Sequence, residues 1–142
     1  MDGERHELGD LLEACAERWR SRVVEGCAAA GFPEVTATTC AVLAPLFERD
    51  GLPISEVARA AGLAKSSMTT IVRGLERHGL VRVEEDGDDH RVKRLRLTDR
   101  SRALETAMQG GVTRLRHRVT ATLGPAGQRE LHRTLRRVHD TL

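Results

Sequence analysis

Apolar residues recur at helical spacing over the first thirty positions: Leu8, Leu11, Leu12, Cys15, Trp19, Val23 and Cys27. The spacing predicts one helix from about Glu4 to Ala30, ended by Gly31, Phe32 and Pro33. A second helix is expected over Ala37–Arg49 with Val42, Leu43, Leu46 and Phe47 inward. Pro45 lies inside it and removes a backbone donor, so a kink or an early break is expected there. After the Asp50-Gly51 turn, Ser55 is expected to cap a short helix through Ala61. Gly62-Leu63-Ala64 then reads as a turn. Lys65–His78 follows with Met68, Ile71, Val72 and Leu75 on one side, and Ser66, Thr70, Arg73 and Arg77 on the other. Gly79 stops that helix.

Beyond Gly79 the period drops from 3.6 to 2. Leu80–Glu84 and Val92–Leu97 both alternate around a polar Gly/Asp cluster, the pattern of a β-hairpin. Thr98 is placed as the cap of a further helix carrying Leu104, Met108, Val112, Leu115, Val119 and Leu123. Gly124-Pro125 breaks it, and Leu131, Leu135, Val138 and Leu142 mark a terminal helix. The fold class is mainly α with a small β-hairpin wing. It is a winged helix-turn-helix at 35–100, flanked by helices at 1–34 and 101–142, all in one domain spanning 1–142. The terminal apolar stripes are expected to pack against a second copy, making the flanking helices dimerisation helices.

This order has a physical use. A helix entering a DNA major groove needs short hydroxyls that approach phosphates and arginines that reach base edges. Ser66 and Ser67 sit in the first turn, where free N–H groups and the positive dipole end favour a phosphate. Arg91 lies just past the hairpin tip, where a cation can meet a neighbouring minor groove.

Charge sharpens the picture only in part. The net charge is +2, but residues 1–34 hold 4 Arg against 8 acids, while 101–142 hold 8 Arg against 3 acids. Such a polarised chain fits ends that meet each other, or a field that attracts a polyanion. Five of the six residues Glu84–Asp89 are acidic, which would repel phosphates from the wing tip. With one Trp, two Phe and no Tyr, stacking bases on exposed rings has little material. No apolar run approaches the length of a membrane span. The first residues show no basic stretch followed by an apolar segment, so a cytoplasmic protein is expected.

Residues Ser55–Thr98 resemble the MarR family of bacterial winged-helix regulators. The family's wing signature DxRxxxxxLT is matched at every fixed position by Asp89, Arg91, Leu97 and Thr98. Its helix-turn-helix pattern is matched by Glu56-Val57-Ala58, Leu63, Ser66-Ser67, Thr69, Val72, Leu75-Glu76 and Gly79-Leu80-Val81. The resemblance implies a homodimeric transcriptional regulator, a repressor, on a pseudo-palindromic double-stranded operator. It puts Ser66, Ser67, Thr69, Thr70 and Arg73 on the recognition helix. Arg77 extends that DNA-binding set, and Arg91 and Lys93 belong to it from the wing, with Asp89 bracing the wing against Arg. The chain departs from the family at Thr70, where Arg or Lys is usual, at Gly74, often Arg, and at Ser101, usually Gly.

Other readings stand beside this one. One is a winged-helix protein–protein interaction module with lost or weak DNA binding. Another is a redox-sensing regulator using Cys15, though hydroperoxide-sensing relatives rely on Tyr hydroxyls that this chain lacks. Trp19 is a candidate for lining a pocket for a small-molecule effector, or for filling the dimer core. Cys15, Cys27 and Cys40 form no CxxC pair, the six His form no HxxxH pair, and no metal site or cofactor is expected. No GxGxxG, P-loop, GxSxG or HExxH occurs, so no enzyme is expected.

Overall fold

The computed structural model describes residues 7–142. In chain order the elements are α1 (Leu8–Ala29), α2 (Ala37–Glu48), α3 (Ile54–Ala60), α4 (Lys65–Arg77), β1 (Val81–Glu85), β2 (Lys93–Leu97) and α5 (Asp99–His139). The turn of α1 expected to begin at Glu4 lies outside the described residues. α5 is helical on both sides of Gly124, whose φ of 71° and ψ of 165° break the ladder at the expected Gly-Pro site.

The core gathers around the middle of the chain. Val42, Leu43 and Leu46 of α2, Val57 of α3, Met68, Val72 and Leu75 of α4, Leu95 and Leu97 of β2, and Leu104 of α5 are all buried. α2 holds its course through Pro45 to Glu48, and Arg49 N–H closes on the Pro45 carbonyl at 3.0 Å. No early break occurs there. Burial of Val42, Leu43 and Leu46 on either side of Pro45 outweighs the one lost donor.

Ser55 does not cap α3. The capping position is Pro53, held extended at φ −57° and ψ 143°, and its carbonyl accepts from Glu56 and Val57 at 3.0 and 3.1 Å. The cause is tertiary: Pro53 forms an isolated antiparallel bridge with Arg94 of β2, which starts the helix one residue ahead of Ser55. Gly62, at φ +66°, turns α3 into α4 in the left-handed region that L side chains avoid. Leu63 N–H returns to the Ala58 carbonyl at 2.9 Å, a Schellman-type close that fixes the short turn.

β1 and β2 pair antiparallel, with Val81 opposite Leu97 and Val83 opposite Leu95 on the core side. On the other side Arg82 faces Arg96, and Glu84 relieves that like-charge pair through a 3.0 Å bond from Arg96 Nε. Thr98 caps α5 as expected, in a reciprocal capping box with Ser101. Ser101 is fully buried and also donates to the Thr98 carbonyl at 2.9 Å. A glycine there would lose these bonds. Arg100 ties α5 to the α1–α2 loop, reaching Glu34 at 2.5 Å and lying 4.8 Å above the Phe32 ring.

The ends of the chain differ from the middle. Leu8, Leu11, Trp19, Leu123, Leu131, Leu135 and Leu142 are exposed, and all lie on α1 or beyond residue 120. No described helix is long and apolar enough to cross a membrane.

Candidate nucleic-acid interface

α4 divides cleanly by side. Met68, Val72 and Leu75 are buried, which anchors the helix to the lobe and leaves the opposite surface outward. At about 100° per residue, Ser66, Thr70, Arg73 and Arg77 fall within about 60° of arc, centred away from the core. All four are exposed, as are Lys65, Ser67 and Thr69. None of these seven side chains has a hydrogen-bond or ion-pair partner among the described residues, whereas most Arg of the wing are paired. The N-terminus of α4 has no side-chain cap, and of its first-turn N–H groups that of Ser67 turns back to the Ala64 carbonyl at 3.0 Å.

In the wing, Asp89 holds Arg91 from three directions. Its Oδ1 accepts from Arg91 N–H at 3.0 Å and from Nε at 3.1 Å, and its Oδ2 accepts from Nη2 at 3.3 Å. Arg91 nonetheless remains 91% exposed, so the pair orients the guanidinium without covering it. These bonds from Arg91, side chain first, hold the Asp89 carboxyl below the usual carboxylate range. Lys93 is exposed as well.

The acidic run is less hostile to phosphate than its sequence suggests. Glu84 pairs with Arg96, Glu85 with His90 at 3.3 Å, Asp86 with Arg94, and Asp89 with Arg91. Asp88 alone of the five acids lacks such a pair among the described residues. Asp86 also accepts from the N–H groups of Asp88 and Asp89 at 2.9 and 3.3 Å. These bonds, that of Asp88 foremost and then that of Arg94, hold its carboxyl low. Both carboxylates therefore stay charged at neutral pH, and their bracing is lost only as pH falls through their lowered values.

Sequence reasoning missed the contacts of Asp86 and Arg94, and the exposed cations Lys65 and Arg82. For Lys65 and Arg82 the signal was present, since both sit beside expected DNA-facing positions. For Asp86 and Arg94 it was not, because nothing in an acidic run says which Arg each acid meets.

The remaining candidates lie apart from this surface. Trp19 stands on α1, 39% exposed. Cys15 is exposed, Cys27 buried and Cys40 partly buried. Burial raises Cys27, while burial and then the neighbouring Cys27 push Cys40 from its ordinary 9.0 up to about 11. Folding thus favours the Cys40 thiol over its thiolate. The associated stability is complete below pH 9 and drains away as pH rises towards 11. Thermal melts of wild type should fall more steeply over that interval than those of Cys40→Ala, and parallel slopes would contradict the assignment. Among the described residues no cluster of three His, Cys, Asp or Glu is placed to hold a metal ion.

Residues 35–93 match the model of the MarR family, a span that holds α2, α3, α4, β1 and the hairpin turn up to the first residue of β2. The chain carries a MarR-family domain. Solved structures extend the likeness over the flanking helices. A transcriptional repressor, CouR, bound to a 23-mer DNA duplex is 25% identical with a TM-score of 0.77, covering 94% of this chain and 92% of that one. The PcaV transcriptional regulator from Streptomyces coelicolor is 27% identical with a TM-score of 0.68, covering 91% and 95%. A probable transcriptional regulator from Pseudomonas aeruginosa, 22% identical with a TM-score of 0.73 over 94% and 97%, shares the fold. No curated protein matches by sequence. The MarR-family winged helix expected from the wing signature is therefore the fold of this chain, and the family's structures are those of transcriptional regulators.

Proposed function

We propose that the protein is a homodimeric, DNA-binding transcriptional repressor of the MarR family. Each α4 lies in a major groove, and each wing lies beside the adjoining minor groove. The observation that carries this reading is the outward surface of α4: Ser66, Thr70, Arg73 and Arg77 are exposed, unpaired among the described residues and aligned on one side. Ser67 and Thr69 flank that line, Arg91 and Lys93 supply cations from the wing, and Asp89 braces Arg91. One solved structure of the same fold is bound to a DNA duplex, which supports duplex DNA as the partner. The exposed apolar residues of α1 and the second half of α5 make these helices the dimerisation layer. Two copies then place their α4 helices one helical turn apart on a pseudo-palindromic site. Promoter occupancy represses. A small-molecule effector, with Trp19 as one wall of its pocket, releases the DNA by favouring a different spacing of the two lobes.

A protein–protein module with lost or weak DNA binding draws on two features, Thr70 where Arg or Lys is usual and the acidic wing. Four of the wing's five acids are paired with a basic residue, so that second support is weak. An electrophoretic shift with the intergenic duplex upstream of the gene tests the proposal. The expected result is a complex that resists unspecific competitor and weakens steeply with salt. No such complex, on that duplex or on any enriched from a randomised pool, would overturn it.

A further inference from the structure

We propose that Arg94 and Asp86 are positioning residues that fix the DNA-facing Arg91 of the wing to the body of the lobe; the inference rests on the DNA-binding reading above. Arg94 Nη1 donates to the Gly51 carbonyl at 3.0 Å, and its Nε donates to Asp86. Asp86 in turn accepts from the N–H groups of Asp88 and Asp89, which closes the turn at the wing tip. Asp89 then holds Arg91 by the three bonds described above. The result is an unbroken hydrogen-bonded chain from the α2–α3 turn to the exposed guanidinium.

The anchored end is rigid. Gly51 is buried at φ +75°, and a Cβ there would stand 2.3 Å from Arg96 Nη1, so the turn and β2 are in close contact. Asp50 Oδ1 accepts from Leu97 N–H at 2.9 Å, and the Leu52 carbonyl accepts from Leu95 N–H at 2.9 Å. Residues 50–53 therefore form a rail along β2. The far end of the hairpin has no such rail, and Arg94 is what carries the rail's rigidity outward. Its planar fork reaches two acceptors that point in different directions, which a single ammonium cannot match. Arg94 and Asp86 are half-buried and lie behind the tip, so they act on DNA through Arg91 and do not compete with it for phosphate.

The test uses the full chain and a duplex enriched from a randomised pool by the wild-type protein. Arg94→Gln should lower affinity about tenfold and remove hydroxyl-radical protection in the flanking minor grooves, while major-groove protection remains. Arg91→Ala should do the same. The double variant should be no worse than either single one, because both act through one side chain. Arg94→Lys should restore only part of the affinity. Additive losses, or minor-groove protection unchanged in Arg94→Gln, would overturn the proposal. Amide exchange in the free protein supplies a second measurement that needs no DNA. Asp88, Asp89 and Arg91 should exchange about tenfold faster in Arg94→Gln and in Asp86→Asn, with the core amides unchanged. Unaltered exchange at the tip would also overturn it. If the wild type enriches no duplex yet the tip loosens as expected, it is the DNA-binding reading that fails.

Discussion

A Leu131→Glu/Leu135→Glu double variant should sediment as a monomer and bind its operator about 100-fold more weakly or worse. The argument starts from where the buried core ends. Among the described residues every buried apolar side chain lies between Val23 and Leu104, whereas Leu123, Leu131 and Leu135 remain 45%, 40% and 42% exposed on α5. Leu8 and Leu11 at the start of α1 are 66% and 49% exposed, so the two ends of the chain share the same deficit. Covering a Leu that is already partly buried yields less than the about 1.5–3 kcal/mol of full burial, yet several on each of two protomers suffice for a stable pair. Two Glu in that layer would place four unpaired carboxylates in the dimer, a cost no neighbouring apolar group offsets. Linked half-sites gain about 10²–10⁴ in affinity over a single one, and a monomer forfeits that gain. The substituted positions lie outside the lobe's core, so the lobe should still fold. Sedimentation reads the assembly, near-ultraviolet and far-ultraviolet dichroism read the fold, and the gel shift reads binding. A double variant that stays dimeric, or a folded monomer that binds as well as wild type, would refute the role given to these helices.

What could be read from the chain, and what could not, divides by the range of the interaction. The stripe Met68, Ile71, Val72 and Leu75 is a local period, and α4 ends at Arg77 within one residue of the expected boundary. The change to a two-residue period likewise located the hairpin, with β1 displaced by one residue and β2 beginning one residue later than expected but ending at Leu97 as expected. Thr98 was legible as a cap because a capping box is a four-residue motif. Ser55 misled for the opposite reason. It has the right chemistry for a cap, but the bridge from Pro53 to Arg94, 41 residues away, decides where α3 begins. The acidic wing misled in the same way. Read as a string, Glu84–Asp89 is a repulsive cluster. Folded, the cross-strand register and the tip turn bring three of the acids to an Arg and Glu85 to His90, and the cluster becomes bracing. Charge counts along a chain hide such pairings, since the sign of a run says nothing about what it touches. The outward surface of α4 was fully legible, because one helix and one buried stripe determine it.

That surface gives the second large effect. Arg73→Ala should weaken operator binding by about 1–3 kcal/mol, roughly 5- to 150-fold, with the melting temperature of the free protein unchanged. Arg73 is exposed and has no partner among the described residues, so its removal leaves no buried group unsatisfied. Alanine is also the better helix former, which adds nothing unfavourable to α4. A large binding loss with no stability loss is therefore a signature of contact with the partner and not of damage to the lobe. The pattern across sequences then tells which contact is lost. If Arg73 grips a guanine edge with its fork, the variant should become tolerant at one base position of each half-site and keep its salt dependence. If it grips phosphate, all sequences should weaken alike, and the slope of log affinity against log salt should fall by about 1 for each protomer's contact. Thr70 has a hydroxyl where its family usually places Arg or Lys, which leaves Arg73 and Arg77 as the only cations on the central outward arc of α4. With so few groups able to reach a base, the loss of one of these two cations should be felt, and an affinity unaltered in Arg73→Ala would remove Arg73 from the residues that read the groove.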